Sequence, residues 1–392
     1  MGVVNIMIQY GRQDINQADI DAVVTVLRSD YLTQGATVPR FEINMASYCR
    51  VQHAVAVNSA TSALHIACLA LDLGPSDWLW TSPSTFVASS NCALFCGAKV
   101  DFVDIDPHTY NISIEHLSNK LARAEKDGTL PKIVVPVHLC GQSCDMAAID
   151  LLSKQYGFKV IEDAAHAIGG KYKGELIGGC RYSDITIFSF HPVKIITTGE
   201  GGMALTNNQV LAERMQRYRS HGITSETSQM QARPLDEIWN YQQVSLGYNY
   251  RMTDIQAALG LSQMERLDEF VGKRHIIAQR YNEELASLPL KIPWQHPDTY
   301  SSYHLYPIRI TLGEDKKTQR QVYDTLQFEG VNVNLHYIPV YRQPYYEMLG
   351  FKMGYCPAAE QYHKESLSIP IYPTLTDSEQ RKVIHILHEA LA

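Results

Sequence analysis

Lys194 stands in the run Ser189-Phe190-His191-Pro192-Val193-Lys194, after the apolar stretch Asp184 to Phe188 and before Thr197-Thr198-Gly199-Glu200-Gly201-Gly202. An amine between a strand end and a Gly-rich turn is well placed to form a Schiff base with a carbonyl. Further upstream, Glu162-Asp163-Ala164-Ala165-His166 ends another apolar run. A carboxylate buried at such an end costs free energy unless it meets a positive partner. A protonated pyridine nitrogen would serve, and the ion pair would keep that ring an effective electron sink. The imidazole of His166, three residues on, can then reach a phenolic oxygen of the same ring. Lysine, acid and imidazole together point to pyridoxal phosphate (PLP).

A phosphate needs its own cradle. Asn58-Ser59-Ala60-Thr61-Ser62-Ala63-Leu64 follows a β-like run and opens a helix. Small residues let the backbone approach an anion, and free N–H groups at a helix N-terminus favour one. The hydroxyls of Thr61, Ser62 and Ser189 can add hydrogen bonds. Phe86, after another strand-like run, can lie flat on the ring. Taken singly these are ordinary features: an N-cap, an Asp capping a helix, a core aromatic. Their order, each at a strand end, makes them one constellation. No GxxxxGK[ST] run exists in the chain, which disfavours a nucleoside-triphosphate loop.

The elements that position them alternate. Short β-rich runs fall at 53–57, 79–81, 99–103, 133–137, 158–161, 184–188 and 203–205, with helical stretches at 61–72, 86–96, 114–125 and 145–156 between them. This predicts an α/β fold with a mainly parallel sheet covered on both faces, which collects ligands beyond the carboxyl ends of its strands. Ile20, Val23, Val24 and Leu27 predict an amphipathic helix over 16–29. A long helix over 265–285, charged on one face, leads into a smaller α+β part with β-like 303–311, helical 316–328 and β-like 331–333. The expected division is a large domain over 1–265 and a small C-terminal domain over 266–392. The polar stretch 222–240 reads as a surface loop.

Composition excludes several classes. The chain has 392 residues, 45% hydrophobic and 19% charged, with a net charge of −7 and no basic stripe, so nucleic acid is not an expected partner. No apolar run approaches the ~20 residues a membrane span needs, and residues 1–9 lack the regions of a signal peptide, so a cytoplasmic protein is expected. Cys92/Cys96 and Cys140/Cys144 lack CxxC spacing, so no metal is expected and the eight cysteines read as free thiols acting as small hydrophobes.

These motifs resemble the DegT/DnrJ group of PLP-dependent sugar-nucleotide aminotransferases, which have the aspartate-aminotransferase-like fold (PLP fold type I). The likeness runs from about Tyr10 to Thr376 and includes Leu246-Gly247-Tyr248-Asn249-Tyr250-Arg251-Met252-Thr253-Asp254. It implies Lys194 as the Schiff-base lysine, Asp163 on the pyridine nitrogen, and His166 by the phenolic oxygen. Phe86 is implied to stack on the ring, with Ala60, Thr61, Ser62 and Ser189 around the phosphate. It implies that Asn249 reaches the phosphate of the neighbouring subunit, hence a homodimer with shared sites. Tyr10, Asp30-Tyr31-Leu32-Thr33 and Asn334-Leu335-His336-Tyr337 match positions lining the sugar-nucleotide site. Within the family, Leu32-Thr33-Gln34-Gly35, Trp80-Thr81-Ser82-Pro83 and His336-Tyr337-Ile338-Pro339 are most similar to the branch serving pseudaminic acid synthesis. That branch aminates C4 of a UDP-linked 4-keto-6-deoxy-N-acetylhexosamine, and L-glutamate is the expected donor. A dehydrating branch carries histidine in place of the lysine, so Lys194 favours transamination. The alternatives are another nucleotide-linked keto sugar as acceptor, or a non-catalytic PLP- or sugar-nucleotide-binding regulator on the same fold. Intact Lys194, Asp163 and Ser189 argue against the regulator.

Overall fold

The computed structural model describes residues 7–232, 240–313 and 316–391. Its centre is a seven-stranded sheet. The strands are β1 (His53–Val57), β2 (Trp78–Thr81), β3 (Lys99–Phe102), β4 (Ile133–Val135), β5 (Lys159–Asp163), β8 (Ile185–Ser189) and β9 (Gly202–Thr206), in the order β1-β9-β8-β5-β4-β2-β3. The two-residue strands β6 (Lys171–Tyr172) and β7 (Glu175–Leu176) form a hairpin outside it. β9 is antiparallel to both its neighbours, and every other pair in the central sheet is parallel. All five residues of β8 and of β9 are buried. Strands covered on both faces read as continuous apolar runs rather than alternating ones.

The helices of the crossovers are α3 (Ala60–Ala70), α4 (Ala88–Phe95), α5 (Ile114–Asp127) and α6 (Met146–Tyr156), preceded by α1 (Gln17–Leu27) and α2 (Thr37–Cys49) and followed by α7 (Gln209–Arg219). α5 shows how locally the sequence sets them. Ser113 caps its first turn, Leu117, Leu121 and Ala124 form its buried stripe, and Gly128 ends it at φ 66°. That stripe follows the i, i+4, i+7 spacing of one helix face.

α1 forms over Gln17–Leu27 within the expected helix 16–29. Its apolar stripe is only partly covered in this chain, with Ile20 at 47% and Leu27 at 53% exposure. Its buried residues are Val26 and Asp19. Asp19 accepts hydrogen bonds from Ser262 Oγ at 2.6 Å, Gln263 Nε2 at 2.7 Å and Arg266 Nη2 at 2.6 Å. A paired carboxylate thus docks the helix against α8 (Asp254–Met264).

α9 (Leu267–Glu284) joins two cores. Its Leu267, Phe270 and Val271 pack with Phe41, Phe188 and Phe190 of the large part. Its Ile277, Ala278 and Tyr281 pack with residues of 303–391. There Tyr306–Ile310 pairs antiparallel with Leu290–Lys291 and Ser366–Ile369, under helices Gln319–Phe328 and Asp377–Leu391. Buried Arg274 fastens α9 to the C-terminal part, donating from Nη1 to the carbonyls of Tyr303, His304 and Ile371 at 3.1, 3.2 and 2.8 Å. Val331 makes one parallel bridge with Ile8 rather than a strand. The expected loop 222–240 begins with a short pairing of Ile223–Thr224 against Gln242–Gln243, and its residues 233–239 lie outside the described ones. Among the described residues, no helix is long and apolar enough to cross a membrane.

Candidate active site

One rim of the sheet carries the carboxyl ends of β1, β2, β5 and β8 together with the amino end of β9, and a cavity of about 940 Å³ opens there. Asp163 closes β5 at this rim and is buried. Its Oδ2 accepts from Ser89 Oγ at 2.6 Å and its Oδ1 from the Ala165 amide at 3.1 Å. Thr85 Oγ1 lies 2.7 Å from Ser89 Oγ and extends the chain of hydroxyls. Side chains alternate along a strand, so Glu162 faces the other way, where it meets His138 Nε2 at 2.7 Å and the hydroxyls of Ser183 and Thr186. The neighbouring acids of this motif therefore do different jobs: Glu162 pins the sheet and Asp163 faces the cavity.

Lys194 sits in a turn closed by its own amide on the His191 carbonyl at 2.9 Å. It is half-buried and opens on the cavity. The surrounding protein pushes its amine down from 10.5 to about 8, with the Asp163 carboxylate acting in the opposite direction. About a tenth of the amine is then neutral at pH 7, against well under a thousandth for a solvated lysine.

The first turn of α3 faces the same space. The Ser59 hydroxyl caps it by accepting from the Ser62 amide at 3.1 Å, which leaves the Ala60 and Thr61 amides without a backbone partner. Ser62 Oγ is turned to Asn58 Oδ1 at 2.7 Å, so it braces the turn more than it faces the cavity. Gly202, at the start of β9, lies against this turn. A Cβ there would strike the Ala60 nitrogen and the Ser59 carbonyl carbon, so the cradle depends on a glycine. Ser189 completes it from the end of β8.

Phe86 is 59% exposed at the cavity mouth, with its ring 6.4 Å from that of Tyr337. It is not a core aromatic; it offers a free face to a flat ligand. His166 is buried and has a definable tautomer. The Cys140 amide donates to its Nδ1 at 3.3 Å, so the neutral ring carries its proton on Nε2, 3.2 Å from Tyr337 Oη. Burial first, then Lys194 and His336, hold His166 well below the usual histidine range. His304 packs against it, tilted, with ring centroids 4.4 Å apart, and is lowered likewise by burial. His336, whose Nδ1 lies 2.8 Å from Ser368 Oγ, is pushed down to about 3 by burial and Lys194. Three imidazoles thus stay neutral around one amine.

Tyr10 and Asn334 through Tyr337 line the cavity as expected. Asp30, Tyr31, Leu32 and Thr33 do not: Tyr31 is 64% exposed and the segment is held by Asp254, whose amide donates to the Leu32 carbonyl at 3.0 Å. Asn249 also lies outside the cavity of its own chain, exposed and bridged to Ser220. Sequence reasoning missed Ser89, His304, Gly202 and the Cys140 amide. Ser89 follows Thr85 by one helical turn and was legible as a second hydroxyl on that face; His304 comes from the distant C-terminal part and carried no local signal. Among the described residues no group of three or more His, Cys, Asp or Glu is arranged to hold a metal ion. The donor set suits PLP instead: a partly neutral amine, a buried carboxylate, an uncovered aromatic face and a cradle of amides and hydroxyls that a Cβ at Gly202 would fill.

Comparison with known proteins agrees. Residues 13–388 match the DegT/DnrJ/EryC1/StrS aminotransferase family. The chain is 37% identical over 386 residues to the UDP-4-amino-4,6-dideoxy-N-acetyl-beta-L-altrosamine transaminase of Campylobacter jejuni, covering 98% of each chain. It is also 37% identical over 388 residues to the spore coat polysaccharide biosynthesis protein SpsC of Bacillus subtilis, covering 98% of this chain and 97% of that one. The solved structure of Helicobacter pylori PseC, an aminotransferase involved in the biosynthesis of pseudoaminic acid, superposes with a TM-score of 0.87 at 28% identity, over 98% of this chain and 99% of that one. The chain belongs to the DegT/DnrJ/EryC1/StrS aminotransferase family, with the aspartate-aminotransferase-like fold, and is a PLP-dependent sugar-nucleotide aminotransferase.

Proposed function

We propose that the chain moves an amino group from L-glutamate to the C4 keto group of a UDP-linked 4-keto-6-deoxy-N-acetylhexosamine, in the formation of a pseudaminic acid precursor. The observation that carries the chemistry is the Lys194 amine and the buried Asp163 carboxylate lining one cavity at the sheet rim. The choice of sugar rests on the likeness to the Campylobacter jejuni transaminase. An equal identity to SpsC supports a second reading, another nucleotide-linked keto sugar as acceptor.

PLP, when bound, supplies a carbonyl for the amine and a ring that takes up electrons as the donor's Cα–H bond breaks. Lys194 is the proton carrier. Its neutral amine would take the proton from the donor's Cα and, as the ammonium, give it back to the carbon on the far side of the amino nitrogen; for the keto sugar the order reverses. Asp163, fixed by Ser89 and the Ala165 amide, would pair with a protonated pyridine nitrogen. His166, held neutral and in contact with Tyr337, would serve the phenolic oxygen without adding a charge. Phe86 would cover one ring face. The Ala60 and Thr61 amides and the Ser189 hydroxyl would hold the phosphate, with Ser62 bracing them.

Among the described residues, Lys194 is the one lysine or arginine along the cavity wall. We assign a further, neutral hydrogen bond to the phosphate to Asn249 of a second copy, and the Asp30–Thr33 segment to the same shared rim. Exposed Ile15, Ile20, Leu27, Tyr31, Tyr241 and Leu246 support a homodimer burying that face. We place the domain boundary at 265/266, between α8 and α9, and the protein in the cytoplasm, in keeping with its eight free thiols.

The test supplies L-glutamate and a panel of UDP- and dTDP-linked keto sugars. 2-Oxoglutarate and a 4-amino sugar should form with the UDP-linked 4-keto-6-deoxy-N-acetylhexosamine; amination of dTDP sugars alone would sink the proposed acceptor. Mixing inactive Lys194→Ala and Asn249→Ala subunits should restore about a quarter of wild-type activity, because random dimers regain one intact site in the hybrid. No recovery would sink the shared site.

A further inference from the structure

His65 stands one turn beyond Thr61 on α3, buried and outside the cavity. Its ring centroid lies 5.4 Å from that of Phe95, 4.9 Å from Tyr248 and 5.9 Å from Tyr250. Its Nδ1 meets Tyr250 Oη at 3.1 Å, and its Nε2 is buried without a hydrogen-bond partner. Burying an unpartnered nitrogen costs free energy. An aliphatic side chain would fill the space without that penalty, so packing alone does not account for an imidazole here. What the imidazole adds is the bond to Tyr250.

That bond holds the segment that carries Asn249. The Tyr248 and Tyr250 rings stack with centroids 4.9 Å and planes 13° apart, so both lie on one side of the chain. Asn249, between them, projects to the other side and is exposed. The main chain is fastened along both edges. Along one, the Tyr248 and Tyr250 amides donate to the carbonyls of Tyr218 and Arg219 at 2.7 and 3.0 Å, and the Tyr248 carbonyl accepts from the His221 amide at 2.8 Å. Along the other, the Tyr250 carbonyl accepts from the Asn58 amide at 2.8 Å, and Arg251 bridges to Val57. Asn58 is also the residue whose side chain accepts from Ser62 Oγ in the cradle turn. His65 therefore sits between the cradle of its own chain and an asparagine that faces away from it.

We propose that His65 is a positioning residue for the neighbouring subunit's site: through the Tyr250 hydroxyl and the Tyr248 ring it sets the direction in which Asn249 leaves its own chain. The proposal rests on the shared site above, in which Asn249 of one copy reaches the cofactor phosphate of the other. His65 stands on the helix that cradles one phosphate and serves the other phosphate, so its loss is felt across the dimer rather than within its own chain.

Hybrid dimers separate the two effects. One chain carries Lys194→Ala and the other Asn249→Ala, each with its own affinity tag, and the PLP-loaded hybrid is purified through both tags. Its one complete site joins Lys194 of the second chain to Asn249 of the first. The hybrid is diluted into cofactor-free buffer, samples are reduced with borohydride at intervals, and mass spectrometry counts the pyridoxyl groups fixed on Lys194. That count follows the complete site alone. His65→Leu placed in the Lys194→Ala chain should speed PLP loss about fivefold, the effect of one ordinary hydrogen bond, and placed in the Asn249→Ala chain less than about twofold. Tyr250→Phe, which keeps both stacked rings, should show the same asymmetry, and it carries the test if His65→Leu yields no soluble hybrid. Equal acceleration from both placements, acceleration from the Asn249→Ala chain alone, or none from either overturns the proposal. A hybrid with both His65 residues intact that loses PLP as fast as the Asn249→Ala homodimer removes the shared site, and this proposal with it.

Discussion

The Lys194 amine has a measurable cost, and Lys194→Met should reveal it. The folded protein binds the Lys194 proton only below about pH 8, whereas the unfolded chain binds it up to about 10.5. Between those values the unfolded state holds more protons, so stability rises with pH across the window. Below it the charged lysine is present in both states and its burial penalty is fully expressed. At about 1.4 kcal/mol per unit, the fall from 10.5 to about 8 corresponds to about 3 kcal/mol. Methionine keeps the length of the stem and removes the charge. Cofactor-free Lys194→Met should therefore be more stable than cofactor-free wild type by about 3 kcal/mol at pH 7, with the gap closing toward pH 10.5. Urea denaturation of both proteins at several pH values and one protein concentration reads this directly. A gap independent of pH, or a less stable variant at pH 7, would refute the account of a desolvated amine.

Two further substitutions probe the cradle and the imidazole relay. Gly202→Ala forces β9 away from the Ala60 and Ser59 backbone, and the cofactor-free variant should bind PLP at least tenfold more weakly in a fluorescence titration; unchanged affinity would show that the contact is not the one that shapes the cradle. Tyr337→Phe strips the Nε2–H of His166 of its acceptor at a buried position, which should cost about 1–3 kcal/mol in denaturation, and no loss would mean that this contact does not support the fold.

Much of the scaffold was legible because the residues that build it act locally. The run 53–57 and the helix beginning at 114 were bounded by their own apolar pattern and caps. The order Thr61, Phe86, Asp163, Ser189, Lys194 told of one rim because strand ends of an alternating sheet gather there. What failed did so where a distant segment decides. Ile20 and Leu27 look like a core stripe, yet the fold buries Asp19 because Ser262, Gln263 and Arg266 satisfy it from more than 240 positions away. His304 meets His166 only because the C-terminal part folds back over the rim. Val331–Val333 has strand-forming residues, but among the described residues it pairs through a single bridge from Val331 to Ile8.

The single antiparallel strand of the central sheet also bears on motion. β8 ends at the rim and β9 starts from it, so Lys194 lies in a closed loop rather than at the head of a crossover helix. Both ends of that loop are fastened: the Phe190 amide donates to the Gly201 carbonyl at 2.9 Å, and the Phe190 carbonyl accepts from the Thr198 amide at 3.0 Å and Thr197 Oγ1 at 2.9 Å. The main chain is therefore a fixed pivot, and the travel between two carbon centres falls to the butyl stem alone. Side-chain rotamer changes are fast beside loop rearrangements. The proton delivery proposed for Lys194 therefore needs no rearrangement of the backbone that holds it.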